Sequence, residues 1–275
     1  MVERQDMQNR ELYFANHSYS QLESRLKAGR KTVLLFPVGA TEAHGPHSPL
    51  STDVIISEGM CRRAAQQLAD DSEVTALILP SLGYAVTRYA GRFLGTIHVN
   101  EATLQAMIVD ICRSLIEQGF QYIILVNNHF EPEHVQTLHR SIDLIQESTG
   151  VLIGYLDLTR RERAVRLTEE FKKSECHAGR YETSLVLADH PELVDTQLMP
   201  ALPEIPISLV NVIGRGQKDF VEMGLVQAYN GDPARATAVE GEESFAILTD
   251  MLIELIRGLT HGSGGRDMPG FYNRV

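Results

Sequence analysis

The stretch TVLLFPVGATEAHGPHSPLSTD, residues 32–53, joins an apolar run to a cluster of polar side chains. Its first seven residues, 32–38, do not alternate between polar and apolar, which is typical of a strand buried on both faces of a parallel sheet. Glycine and proline residues then bend the chain. The bent segment carries four potential metal ligands: Glu42, His44, His47 and Asp53.

The same strand pattern recurs along the chain. Further short apolar runs occupy residues 74–80, 121–126 and 151–156, and a further strand is possible within 201–216. Segments with helical periodicity are found at residues 19–29, 52–70, 100–119, 131–150 and 240–259. Strands and helices alternating in this way predict an α/β fold, a single-domain three-layer α/β/α sandwich with a mostly parallel central sheet. We assign this domain to residues 1–260 and regard residues 261–275 as a Gly-rich C-terminal tail.

Composition restricts the class of protein. A chain of 275 residues with 43% hydrophobic content can bury a large core, and a net charge of -11 disfavours a nucleic-acid partner. The three cysteines, Cys61, Cys112 and Cys176, form no CxxC pair, which fits free thiols in a reducing compartment. The sequence shows no apolar signal segment and no uninterrupted apolar run long enough to span a membrane. We therefore predict a soluble cytoplasmic protein that binds neither nucleic acid nor membranes.

Two loops of the predicted sheet carry polar side chains that can meet. The loop after the first strand contains Glu42 and His44, and the loop after the third contains His129 and Glu131. If the strands are parallel, both loops lie at the carboxyl edge of the sheet. A spacing of two residues places both side chains of each pair on one side of an extended segment. Mixed histidine and carboxylate ligands suit a divalent metal ion.

Each of these side chains also has an ordinary structural explanation. A single His or Asp in a polar loop is more often solvated or hydrogen-bonded than bound to metal. Glu131 precedes Pro132 and could instead cap a helix, where the helix dipole favours a carboxylate. His177 begins an amphipathic segment and is either a capping residue or a general acid–base held in one tautomer near Glu182. The metal interpretation therefore depends on the whole cluster.

Four blocks of the sequence resemble the creatininase (creatinine amidohydrolase) family. GATEAHGPHSPLSTD is similar to the family signature ExHG-x-H-x-P-x-x-TD, and it is long and specific. The later blocks NNHFE, HAGRYET and GDPARAT follow in the family's order. The resemblance spans residues 33–240 and implies the doubly wound sheet predicted above.

The resemblance also implies a binuclear metal site. Glu42 and His129 would bind one ion. His44 and Glu131 would bind the other, and Asp53 would bridge the two. The implied cofactors are two divalent ions per chain, zinc and/or manganese, with iron or cobalt as further options.

The implied activity is hydrolysis of a C–N amide bond, other than a peptide bond, in a small creatinine-like amide by a water that bridges the two metals. His177 matches the family's catalytic histidine, and Glu182 matches its supporting carboxylate. Family members often assemble as hexamers of three dimers, so a homohexamer is expected. The chain contains no Trp, whereas members that hydrolyse creatinine enclose it with tryptophans on a flap that corresponds to residues 157–176.

Two other functions remain open. The same metal site would suit a formamide deformylase of a ribosylaminopyrimidine in flavin biosynthesis, with Arg88, Arg92 and Arg180 as candidates for binding a substrate phosphate. Alternatively, the chain is a non-catalytic, metal-dependent maturation or assembly factor that binds a peptide or protein partner. Assays on a panel of amides and a pull-down distinguish the three functions.

Overall fold

The computed structural model describes residues 11–267, and a four-stranded parallel sheet forms the middle layer of this range. The strands are β1 Lys31–Val38, β2 Val74–Ile78, β3 Tyr122–Asn127 and β4 Gly154–Tyr155. Their order across the sheet is β2-β1-β3-β4. The four predicted strands and the parallel sheet are confirmed, although β4 is shorter than the predicted range 151–156.

Strand β1 is buried on both faces, which explains its uninterrupted apolar sequence. Val33 and Leu35 belong to the core cluster on one face of the sheet, whereas Leu34 and Phe36 belong to the cluster on the other. All four side chains are at most 1% exposed. A strand in the middle of a three-layer sandwich has no solvent-facing side, so its central positions favour apolar residues on both faces.

Helices cover both faces of the sheet, as the periodicity predicts. Helices α3 and α4 pack on one face, and α2, α7 and α9 pack on the other. The helices are α1 Tyr19–Lys27, α2 Thr52–Gln67, α3 Glu101–Glu117, α4 Pro132–Thr149, α5 Arg161–Ala164, α6 Glu169–Lys172, α7 Arg180–Asp189, α8 Leu209–Gly214 and α9 Ala238–His261. Short 3-10 helices lie at Phe14–Asn16, Pro191–Leu193, Met199–Ala201 and Pro233–Arg235.

The strand prediction for residues 201–216 is wrong. Helix α8 occupies the apolar part of this range, and Ile205 makes an isolated antiparallel bridge with Gly231. Pro203 and Pro206 flank that bridge and lack the amide hydrogen that a continuing strand would donate. The segment therefore lies over the carboxyl edge of the sheet without joining it.

Beyond α9 the chain returns to the sheet. The amide of Tyr155 donates to the Gly265 carbonyl, and the amide of Asp267 donates to the Tyr155 carbonyl, both at 3.1 Å. The Asp267 carboxylate accepts two hydrogen bonds from the Arg163 guanidinium, at 3.0 and 3.1 Å. These residues fasten the end of the described chain to β4 and α5. The division of the chain into a domain at residues 1–260 and a tail at residues 261–275 stays a prediction.

Two further predictions concern the cysteines and the membrane. Cys61, Cys112 and Cys176 are buried free thiols, so the prediction of unpaired cysteines is confirmed. Within residues 11–267, no helix combines the length and the apolar character that crossing a bilayer requires.

Candidate metal centre

The candidate site lies at the carboxyl edge of the sheet, where the loops after β1 and β3 meet the start of α7. The six side chains that meet there are each at most 7% exposed. They are Glu42, His44, Asp53, His129, His177 and Glu182. Every one of them was predicted from the sequence, and the parallel order of the strands brings them together.

Asp53 reaches the site because α2 begins directly against the end of β1. A Cβ atom on Gly39 would lie 2.8 Å from the Asp53 Cβ, a distance that real Cβ contacts essentially never show. The Ala40 amide donates a hydrogen bond to Asp53 Oδ2 at 3.2 Å. Gly39 therefore provides the close approach that places the Asp53 carboxylate at the edge of the sheet.

The two carboxylate oxygens of Asp53 face different histidines. Oδ1 lies 3.0 Å from His44 Nε2, and Oδ2 lies 3.2 Å from His129 Nδ1. Glu182 Oε2 is 3.6 Å from the same His44 nitrogen. Glu42 Oε1 is 3.2 Å from the same His129 nitrogen. Two groups of three potential ligands therefore share Asp53.

Backbone carbonyls orient the two histidines. His44 Nδ1 lies 3.1 Å from the Glu42 carbonyl oxygen, and His129 Nε2 lies 2.9 Å from the Val86 carbonyl oxygen. A carbonyl can only accept, so each of these nitrogens carries a proton. In the neutral ring, the opposite nitrogen then presents a lone pair to the carboxylates. A carbonyl behind the ring and a free lone pair in front are characteristic of metal-binding histidines.

The charge balance of the site also fits metal ions. The carboxylates of Glu42, Asp53 and Glu182 are buried, and among residues 11–267 no Lys or Arg side chain lines the adjoining cavity. Burial lowers the pKa of His44, but the carboxylates of Asp53, Glu182 and Glu42 together outweigh burial and raise it to about 10. Burial raises the pKa of Glu182 to about 8. Protons balance the buried negative charge here, and divalent cations can replace them.

Glu131 lines the same cavity but belongs to none of the potential ligand groups within the described range. Its carboxylate accepts hydrogen bonds from the Arg88 amide at 2.8 and 3.0 Å and from the Tyr89 amide at 3.1 Å. It also occupies the N-cap position of α4 but makes no side-chain capping hydrogen bond. Besides Asp53, the carboxylate nearest to His44 Nε2 is that of Glu182, and the ligand role of Glu131 stays a prediction.

His177 lies beside both groups and forms a third group of potential ligands with Glu42 and His44. Its Nε2 is 3.0 Å from the Ala43 carbonyl oxygen, and its Nδ1 is 3.9 Å from Glu42 Oε1. Burial, followed by the charge of His44, lowers the pKa of His177 to about 4, which keeps the ring neutral. The ring therefore directs an unprotonated Nδ1 towards the ligand groups. The ring is oriented by the Ala43 carbonyl, whereas Glu182 was the predicted partner.

Several residues that support the site were not predicted. Asn230 accepts a hydrogen bond from the His177 amide at 2.8 Å, and its position directly before the GDPARAT block is the one sequence signal that could have indicated it. The Ala43 and Val86 carbonyls leave no such signal, because any residue provides them. His47, from the predicted cluster, lies in none of the described ligand groups and contacts Thr183 Oγ1 at 2.9 Å.

The family model described as "Creatininase: Creatinine amidohydrolase" matches residues 15–256. The chain belongs to the creatininase family. This confirms the family resemblance of the four sequence blocks.

Two relatives illustrate the range of the creatininase family. Creatinine amidohydrolase from Pseudomonas putida is 31% identical over 204 residues, which cover 68% of this chain and 75% of that protein. A mycofactocin precursor peptide peptidase from Mycobacterium tuberculosis is 30% identical over 237 residues, covering 84% of this chain and 86% of that protein. Both names describe hydrolytic enzymes, so family membership supports hydrolase activity.

Solved creatininase structures share the fold. The structure called "Creatininase Mn" matches with a TM-score of 0.69 and 25% identity, covering 90% of this chain and 97% of that one. A mutant creatininase described as Zn-Zn type matches with a TM-score of 0.70 and 23% identity over the same shares of the two chains. The α/β sandwich predicted from the sequence is thus the creatininase fold, and its solved examples include manganese and zinc forms.

Proposed function

We propose that the protein is a metal-dependent amidohydrolase that cleaves a C–N amide bond of a small cyclic or linear amide. One observation carries this proposal: the two oxygens of Asp53 face two separate histidine–carboxylate groups. A carboxylate shared in this way is suited to holding two metal ions close together. Zinc and/or manganese are the proposed ions, and iron or cobalt would accept the same ligands.

The distances favour one arrangement of ligands. Glu42, Asp53 and His129 would hold one ion. His44, Asp53 and Glu182 would hold the other. In this proposal Glu182 is a metal ligand. It also supports the segment after His177, because its Oε2 accepts a hydrogen bond from the Ala178 amide at 2.7 Å.

In the proposed reaction, the ions and the protein side chains would have different roles. Divalent ions bound there would polarise a substrate carbonyl and lower the pKa of water towards neutrality. His177 would take up a proton at Nδ1 and deliver it to the departing nitrogen. The Ala43 carbonyl holds the His177 ring, and Phe220 packs against it with ring centroids 4.5 Å apart, so the ring has a fixed orientation.

The comparisons also favour a second class of substrate. The similarity to a mycofactocin precursor peptide peptidase extends over 84% of this chain, so a peptide amide is the main alternative to a creatinine-like compound. By family resemblance we further propose a cytoplasmic homohexamer.

Removing metal should abolish turnover reversibly. Protein treated with EDTA and dialysed should lose amide hydrolysis by at least about a hundredfold, because the ions polarise the carbonyl and activate water. Zinc or manganese should restore it. The measurement is the amount of hydrolysed product, quantified by liquid chromatography and mass spectrometry, from a panel that includes creatinine, other cyclic amides and short peptide amides. Cyclic amides give one ring-opened acid, whereas linear amides give an acid and a free amine. A full metal content with no hydrolysis across the panel, together with a stable partner in a pull-down, would favour the maturation-factor function.

The isosteric substitution Glu182→Gln should reduce the bound metal from two ions per chain towards one. We expect Glu131→Gln to leave the metal content unchanged, because backbone amides already bind the Glu131 carboxylate. Both variants replace a carboxyl group with an amide of the same volume, so each controls for the other. Elemental analysis by mass spectrometry gives the ratio of metal to chain. The opposite outcome, in which only Glu131→Gln loses an ion, would assign Glu131 as the ligand.

A further inference from the structure

Apolar side chains form two walls of the cavity that adjoins the ligand groups. One wall comes from the segment after β4, and its members are Leu158, Ala164 and Phe171. The other comes from α8 and the chain after it, and its members are Leu209, Val210, Ile213 and Phe220. Phe130 extends the first wall, because its ring meets Phe171 edge-to-face with centroids 5.6 Å apart. Thr159 and Ser174 also line the cavity, and the remaining polar lining residues include candidate metal ligands.

Apart from the histidines and any ions of the metal centre, the cavity offers no cationic side chain to a charged substrate. None of its lining residues within the described range is Lys or Arg. The guanidinium of Arg88 pairs with Glu101 at 2.8 Å, and that of Arg92 pairs with Asp219 at 2.7 Å. Arg180 pairs with Glu240. The three arginines considered for a substrate phosphate are thus committed elsewhere and do not line the cavity.

We propose that the cavity selects amides that carry an uncharged, apolar substituent, and that this substituent packs between the Phe171 wall and the Phe220 wall. This proposal rests on the proposed amidohydrolase function and specifies its substrate class. Apolar walls gain free energy only from apolar groups, whereas a charged group would lose its hydration without gaining a partner. A compact polar amide such as creatinine, whose one apolar substituent is a methyl group, would gain little from either wall.

Three hydroxamates that share one metal-binding group test the proposal by binding, independently of turnover. They are acetohydroxamate, phenylacetohydroxamate and 4-carboxyphenylacetohydroxamate. Isothermal titration calorimetry on the protein loaded with zinc gives each dissociation constant. Phenylacetohydroxamate should bind roughly tenfold to a hundredfold more tightly than acetohydroxamate, because burial of the phenyl ring contributes favourable binding free energy. The added carboxylate should remove most of this advantage.

Two double variants locate the effect. Val210 and Ile213 are half-buried, so Val210→Ser/Ile213→Ser should fold and should reduce the preference for the phenyl group to about threefold or less. The control Val226→Ser/Val239→Ser alters residues that are 67% and 70% exposed and do not line the cavity, and it should keep the full preference. The melting temperature of each variant checks its folding.

The outcomes separate this inference from the proposed function. If none of the three hydroxamates binds the protein loaded with zinc, the metal centre itself is wrong and the inference fails with it. If acetohydroxamate and phenylacetohydroxamate bind equally, the metal centre stands and the apolar selection is overturned. Tightest binding by the carboxylated probe would also overturn it, because it would reveal a cationic contact.

Discussion

The substitution Asp53→Ala should remove both metal ions and reduce amide hydrolysis by at least roughly a thousandfold. The expectation follows from the position of Asp53, whose oxygens lie 3.0 Å from His44 Nε2 and 3.2 Å from His129 Nδ1. Loss of any other proposed ligand would leave one ion with all three of its ligands and the other ion with two. Loss of the shared carboxylate weakens both sites at once.

The metal content and the rate should be measured on the same preparations. Asp53→Asn serves as a second variant, because it preserves the side-chain volume beside Gly39 and removes only the charge. Asp250→Ala, on the exposed face of α9, controls for the loss of an acidic residue in general. An Asp53→Ala protein that is folded and still carries two ions per chain would exclude the shared-carboxylate arrangement.

The substitution His177→Ala should show the opposite combination, with both ions retained and turnover lowered by about a hundredfold or more. His177 contacts the backbone at Ala43 through one nitrogen and lies 3.9 Å from the nearest Glu42 oxygen through the other. We therefore expect it to transfer protons and not to hold metal. Elemental analysis and the initial rate on the same substrate measure the two effects.

Chemical rescue distinguishes a lost proton carrier from a damaged site. Added imidazole should restore part of the rate of His177→Ala, because the substitution leaves space of the right shape beside Phe220. His190→Ala changes an exposed histidine at the end of α7 and should have the parent rate without imidazole. A His177→Ala enzyme with a normal rate would contradict the assignment of His177.

The strands were predictable because burial on both faces of a sheet produces uninterrupted apolar runs in the sequence. The larger helices were predictable from their helical periodicity. Leu34 and Leu35 face opposite layers, so apolar residues follow one another without alternation from Val33 to Val38. Helix α8 was not predictable in the same way. Its sequence LVNVIG is a short apolar run that suits either a strand or a helix, and the decision comes from tertiary packing over the sheet edge.

The site was predictable in its membership but not in its pairing. Glu42, His44 and Asp53 lie close together in the sequence, so their meeting required only one bent loop. Whether Glu131 or Glu182 joins Asp53 beside His44 depends on how α7 approaches the sheet. Both Glu131 and Glu182 follow a histidine in the sequence, and only the three-dimensional structure shows that Glu182 lies 3.6 Å from His44 Nε2.

The return of the chain to β4 limits how far the protein can be shortened. Asp267 binds Arg163 in α5 and accepts a hydrogen bond from the Asp157 amide at 3.2 Å. The neighbour of Arg163, Ala164, lines the cavity. Truncation after His261 would therefore remove the Asp267 contacts that support one wall of the cavity, although it would leave every described helix intact. A shortened protein for crystallisation or ligand screening needs to include Asp267.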